Sequence, residues 1–207
     1  MLLAFAPAAP QGAAAAIAPQ LRLGAPERAE LARIEEYLNR ISTVRAEFVQ
    51  QSSNGEQARG QLYLARPGRL RIDYQPPVPV LVVADGTFLI YYDRRLEQVS
   101  YVPLASTPAS ILLDDRISLA EDSLVVTGYE RAGNLILVTV ARADNPGEGS
   151  LTLSFKENPL QLAEWSVTDA QGIVTLVTLL DPRFDIDLDR ALFVFQDPRE
   201  PSQRPAP

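Results

Sequence analysis

The feature that most constrains the fold of this chain is residues 57–102, a run of short strand-like segments joined by turn signals, with apolar side chains at both parities of several strands. A strand with one dry face alternates apolar and polar residues, whereas here Leu81, Val82, Val83 and Ala84 run on, as do Phe88 to Tyr92. A sheet with two apolar faces has something to cover or something to hold.

The punctuation along this run is specific. Ser53-Asn54-Gly55 and Asp85-Gly86 are hairpin turns, Pro67-Gly68 turns the chain between two strands, and Pro76-Pro77-Val78-Pro79 ends another because proline donates no ladder hydrogen bond. Before the run, 27–41 places Leu31, Ile34, Leu38 and Ile41 on one stripe at three- and four-residue spacing. This predicts an amphipathic helix lying on an apolar surface. The period changes to two from about Ser42, through Val44, Ala46 and Phe48. After Thr107-Pro108 a short helix is expected over Ala109 to Leu113. Strands then resume at about 123–130, 134–142, 150–157, 161–169, 172–180 and 191–196.

Composition removes most chemistry. Among 207 residues there is no cysteine and no histidine, which excludes disulfides, thiol nucleophiles, the serine–histidine arrangement and nearly every zinc site. The expectation is a protein that is not an enzyme and needs no cofactor. A formal charge of −7, with scattered arginines and one lysine, argues against nucleic acid as a partner. Asp185, Asp187 and Asp189 alternate like a calcium loop, but Arg190 stands where glycine is needed. Glu121-Asp122 and Asp114-Asp115 are neighbours on turns rather than converging acid–base pairs. Gly147-Glu148-Gly149 lacks the setting of a nucleotide loop, and Trp165 reads as core or rim packing. Residues 1–24 are Ala- and Pro-rich, with Ala14-Ala15-Ala16 and Ala16-Ile17-Ala18 matching the small-x-small cleavage rule. They read as an export signal without the usual basic start, or as a disordered leader. The polar, Pro-rich stretch 199–207 reads as a disordered tail, leaving 25–198 as one domain.

The order of these elements resembles the LolA family of periplasmic outer-membrane lipoprotein carriers. The resemblance spans about residues 28–198. It is carried by the N-terminal helix, the strand with Phe48 and Gln50, Ala65-Arg66-Pro67, the stretch from Val83-Ala84-Asp85-Gly86 through Tyr91-Tyr92-Asp93 to Leu96-Glu97-Gln98, the Thr107-Pro108 helix and the closing Asp187 to Phe195. It implies one curved antiparallel sheet forming an incomplete, half-open β-barrel, with the amphipathic helix and the short mid-chain helix as a lid. The implied protein is a monomeric periplasmic carrier. It takes acylated lipoproteins from an inner-membrane lipoprotein-releasing ABC transporter to an outer-membrane acceptor lipoprotein or to the outer membrane itself.

An apolar cavity suffices for such a ligand, because each buried methylene contributes roughly 0.8 kcal/mol. Candidate lining residues are Leu62, Leu64, Leu70, Ile72, Leu81, Val83, Phe88, Ile90 and Tyr92 from strands, with Leu38, Ile111 and Leu112 from helices. Neighbouring positions are also apolar, so the pattern leaves open which parity faces the cavity. In the family the arginine before the proline hydrogen-bonds lid carbonyls and holds the empty cavity closed, a role that falls here on Arg66. The alternative reading is a periplasmic lipid- or lipoprotein-sensing regulatory domain on the same half-barrel. The acceptor form of the fold, itself a lipoprotein, needs a cysteine this chain lacks.

Overall fold

The computed structural model describes residues 21–119 and 123–198. The expected leader before Leu21, the tail from 199 and the Glu121-Asp122 pair lie outside the described residues.

The amphipathic stripe folds as expected. Helix α1 (Ala25–Arg40) starts with Pro26 in its first turn and buries Leu31, Ile34 and Leu38, while Ile41, also buried, ends it in extended conformation. Eleven strands follow: β1 (Thr43–Ser52), β2 (Gln57–Ala65), β3 (Arg69–Tyr74), β4 (Val80–Asp85), β5 (Phe88–Asp93), β6 (Gln98–Pro103), β7 (Leu124–Ala132), β8 (Leu135–Arg142), β9 (Gly149–Lys156), β10 (Gln161–Asp169) and β11 (Val174–Phe184). They form one antiparallel sheet in the order β6-β5-β4-β3-β2-β1-β11-β10-β9-β8-β7. The β1–β11 pairing, with Phe48 opposite Leu179 and Gln50 opposite Val177, joins two meanders. The edge strands β6 and β7 do not pair with each other, so the sheet curls without closing: a mainly β half-barrel with few helices.

Two connections depart from the expected pattern. The mid-chain helix is a 3-10 helix, Pro108–Leu113, whose Ile111, Leu112 and Leu113 are buried against the inner face. The expected strand at 191–196 does not exist. Residues 190–193 form a 3-10 turn capped by Asp189, and the chain continues in irregular conformation across the outer face of β3 and β4. The alternation in Leu192 to Phe195 suits a strand, but the segment lies over β3 and β4, each of which already has a neighbouring strand on both sides. A strand needs a free edge, and none is offered there.

The inner and outer faces separate by register. Leu64, Leu70, Ala84 and Leu89 form one row across β2 to β5, and Ile72, Val82 and Tyr91 form the next, all on the face that carries α1 and the lid helix. Arg71, Val83, Ile90 and Tyr101 form the outer row between them. The strap from Asp185 onward explains the second apolar face. Phe193 is 4% exposed, the Arg69 guanidinium sits 6.0 Å from its ring, Arg71 Nη1 donates to the Leu192 carbonyl at 3.1 Å, and Phe195 lies 5.8 Å from Tyr92 ring to ring.

Candidate binding cavity and its lid

Between the two meanders lies an elongated cavity of about 490 Å³. One wall is Leu64, Leu70, Ile72, Val82 and Leu89; the other is Leu151, Trp165, Val167 and Val177; Ala109, Leu112 and Leu113 of the lid helix cover it. Its volume falls within the roughly 300–1,000 Å³ of ligand sites, and its walls are largely apolar, with Ser106 and Thr107 at the start of the lid and a polar group of residues at the end away from Arg66.

The predicted lining residues divide by position. Leu64, Leu70, Ile72 and Leu112 line the cavity. Leu38, Leu62 and Ile111 belong to the hydrophobic cluster on the inner side, fully buried without lining the space. Leu81, Val83, Phe88, Ile90 and Tyr92 lie on the outer face, a correction that follows from pleating: Leu70 and Ile72 pair with Ala84 and Val82, so the odd positions of β4 point the other way. Sequence reasoning missed Val82, Leu89 and Tyr91 by the same one-residue step. It also missed the far wall, although Leu151, Leu153 and Phe155 on β9 carry a clean period of two.

Arg66 stands where three elements meet, just past β2. Its Nε donates to the Leu112 carbonyl of the lid helix at 2.9 Å, and Nη1 donates to the Leu38 carbonyl at 2.5 Å, with Ile41 O at 3.4 Å. Leu38 lies in the last turn of α1, where a cation is favoured, and its carbonyl also accepts from Ile41 N at 3.2 Å. Burial pulls the Arg66 pKa down from its ordinary value, and the nearby Asp114 carboxylate opposes that shift. The turn after Arg66 adds a tie, because Gly68 N–H donates to the Leu113 carbonyl at 2.8 Å. Gly68 has φ of 72°, and a Cβ there would sit 2.8 Å from Gly86 Cα, so both the conformation and the packing of these stacked turns call for glycine.

Arg142, which the sequence did not single out, holds the lid from β8. Its Nη2 donates to Ser110 Oγ at 2.9 Å and to both Asp114 carboxylate oxygens at 3.1 Å, spanning the lid helix and the residue that ends it. Asn39 exchanges two hydrogen bonds with the Ile117 backbone, and Glu35 accepts from Leu119 N, so α1 holds the segment following the lid.

At the end of the cavity away from Arg66 the lining turns polar. Tyr74 Oη donates to Gln50 Oε1 at 2.6 Å, reaching across β2 at Gly60. A side chain at Gly60 would collide with Phe48, whose Cε1 lies 2.8 Å from the ideal Cβ position; without one, Phe48 and Tyr74 meet edge to face at 5.5 Å. Burial pushes the Tyr74 pKa up to about 12, with further upward pressure from Tyr91, against the hydrogen bond to Gln50. Tyr91 is also pushed up by burial. Glu148, Asp169, Gln171 and Thr175 stand on the opposite rim, and no lining residue is cationic.

None of the described helices is long and apolar enough to cross a membrane. The family described as outer membrane lipoprotein carrier protein LolA matches residues 39–196. A relative from Chromobacterium violaceum named outer-membrane lipoprotein carrier protein is 31% identical over 93% of this chain and 95% of its own length. One of the same name from Pseudomonas aeruginosa strain PAO1 is 30% identical over 84% and 86%. In fold, the crystal structure of a DUF1329 family protein from Desulfovibrio piger is similar at a TM-score of 0.51, with 12% identity over 82% of this chain and 96% of that one. A family match over three quarters of the sequence, on a half-barrel enclosing an apolar cavity, places this chain in the LolA family of outer-membrane lipoprotein carrier proteins.

Proposed function

We propose that this protein is a periplasmic carrier that binds the acyl chains of lipoproteins released from the inner membrane and shuttles them to the outer membrane, acting by binding rather than by catalysis. The observation that carries the reading is the cavity itself: two apolar walls from opposite meanders under a lid. An acyl chain requires no more, since burial of its methylenes supplies the affinity at roughly 0.8 kcal/mol each. Cargo would come from the inner-membrane ABC transporter and pass to an outer-membrane acceptor or the membrane itself, with one carrier monomer per cargo.

Arg66 is the proposed latch. Its bonds to Leu38 and Leu112 hold α1 and the lid helix to the end of β2 while the cavity is empty. A lipoprotein with two or three chains needs more room than the closed cavity offers, so loading exchanges the lid's contacts with the sheet for contacts with lipid. The domain that does this spans 25–198, behind an export leader.

The test is a release assay. Purified protein is incubated with spheroplasts synthesising a labelled lipoprotein, and the label is followed into the soluble fraction. Release dependent on the protein supports the carrier role. Undiminished retention of the lipoprotein in the membrane sinks it and favours a regulatory domain on this scaffold.

A further inference from the structure

The polar end of the cavity is more specific than an acyl chain requires. We propose that Gln50, Tyr74 and Tyr91 form a subsite for the carbonyl groups that join acyl chains to their headgroup; this rests on the acyl-carrier reading. Three observations lead there.

The first is donor capacity. Tyr74 occupies the Gln50 carbonyl, so the Gln50 amide N–H₂ is the free end of that side chain; neither it nor the Tyr91 hydroxyl donates to an acceptor among the described residues. Both residues line the cavity, and Tyr91 is 41% exposed. Donors without a protein acceptor, at the mouth of an apolar cavity, favour a ligand that brings acceptors. Ester and amide carbonyls are acceptors only. Tyrosine hydroxyls, with an ordinary pKa of 10.0, are protonated at physiological pH, and burial moves these two further in that direction.

The second is charge. The lining contains the carboxylates Glu148 and Asp169 and no cation, so nothing there would neutralise a phosphate. Neutral carbonyls are the matching acceptors.

The third is position. From Leu70, opposite Leu64 near the latch, to Tyr74 is four residues along β3, about 13 Å of strand. A chain whose carbonyl sits at Tyr74 and Gln50 therefore runs with its tail along the apolar walls toward the lid. Its headgroup emerges between Tyr91 and the Asp169–Gln171 rim. The orientation is fixed by where the donors are, not by the walls, which would accept an acyl chain either way round.

The experiment compares two synthetic lipopeptides on the full chain: a tripalmitoyl-cysteinyl peptide with its natural ester and amide linkages, and an analogue in which ether linkages replace the two esters while the amide is kept. Titration gives the ratio of their dissociation constants for wild type, Gln50→Leu and Tyr91→Phe, with thermal melting to establish that each variant is folded. The expected wild-type ratio is about tenfold in favour of the carbonyl form, the scale of one or two net hydrogen bonds, and each variant should bring it toward one. Equal wild-type affinity for both lipopeptides overturns the subsite and leaves the acyl carrier standing. So does a ratio that survives both substitutions, or variants that weaken both ligands equally. Wild type that binds neither lipopeptide overturns the acyl-carrier reading and the subsite together.

Discussion

Replacing Arg66 by leucine should open the lid without unfolding the sheet, and the structure sets the scale. Arg66→Leu deletes the bonds to Leu112 O at 2.9 Å and Leu38 O at 2.5 Å, and hydrogen bonds to charged groups contribute about 1.5–3 kcal/mol each. The sum is reduced because burial already disfavours the guanidinium, as the lowered pKa records, and leucine does not carry that penalty. The net expected cost is about 2–3 kcal/mol of lid closure, roughly a 30- to 150-fold shift toward open. Native-state hydrogen exchange reads this directly. The Gly68 amide, bonded to Leu113 O at 2.8 Å, and the Asp114 amide, bonded to Ile111 O, should exchange faster by that factor. Amides in the β1–β11 ladder, bonded strand to strand and not to the lid, serve as the reference. Equal acceleration in ladder and lid would refute the reasoning, because it would make Arg66 a general stabiliser of the fold rather than a fastener of one segment.

Other perturbations test neighbouring parts of the account. Arg142→Met should loosen the lid from its other side by about 1 kcal/mol, less than Arg66 because its pair with Asp114 is partly exposed and screened; lid-amide exchange measures it. Val82→Trp should fill the cavity and block uptake of a fluorescent fatty acid with the fold intact. Val83→Trp should overpack the covered outer face at a cost of about 1–3 kcal/mol and leave uptake in place, as urea denaturation and ligand titration would show. Tyr74 links stability to high pH. Its folded pKa of about 12 exceeds the ordinary 10.0, so the stability it confers is fully present below pH 10 and is lost as pH rises toward 12. The two-unit difference corresponds to about 3 kcal/mol, which a shift in urea midpoint between pH 8 and pH 12, absent in Tyr74→Phe, would report.

What could be read from the sequence, and what could not, divides along physical lines. Helix α1 and the succession of strands along the chain as far as β11 were legible because period and turn chemistry are local: Leu31, Ile34 and Leu38 mark a helical stripe, and Asn54-Gly55 and Asp85-Gly86 mark hairpins. The parity of β4 and β5 was not, because a strand buried on both faces carries no alternation to read. Val83 is completely buried, like the inner-face residues, but lies on the outer face. The strap was mistaken for a strand because Leu192 to Phe195 has strand-like residues, and pairing depends on a free edge that only the assembled sheet reveals. Arg66 stood out through its family context. Arg142 looked like one more arginine at a strand end, since its partners Ser110 and Asp114 are about thirty residues away in sequence. Gln50 and Tyr74 meet only because Gly60 leaves a gap between them, a relation across three strands that no window of sequence contains.

The central claim is that acyl chains occupy the inner cavity. The measurement that tests it most directly is photo-crosslinking with a lipoprotein whose acyl chain carries a diazirine, followed by mass spectrometric mapping of the labelled residues. The account predicts labelling of cavity-wall residues such as Val82, Leu89, Leu112 and Trp165, and none of Val83 or Ile90 beneath the strap. Labelling confined to the outer face, or no residue labelled by a lipoprotein that the protein has demonstrably released, would contradict it.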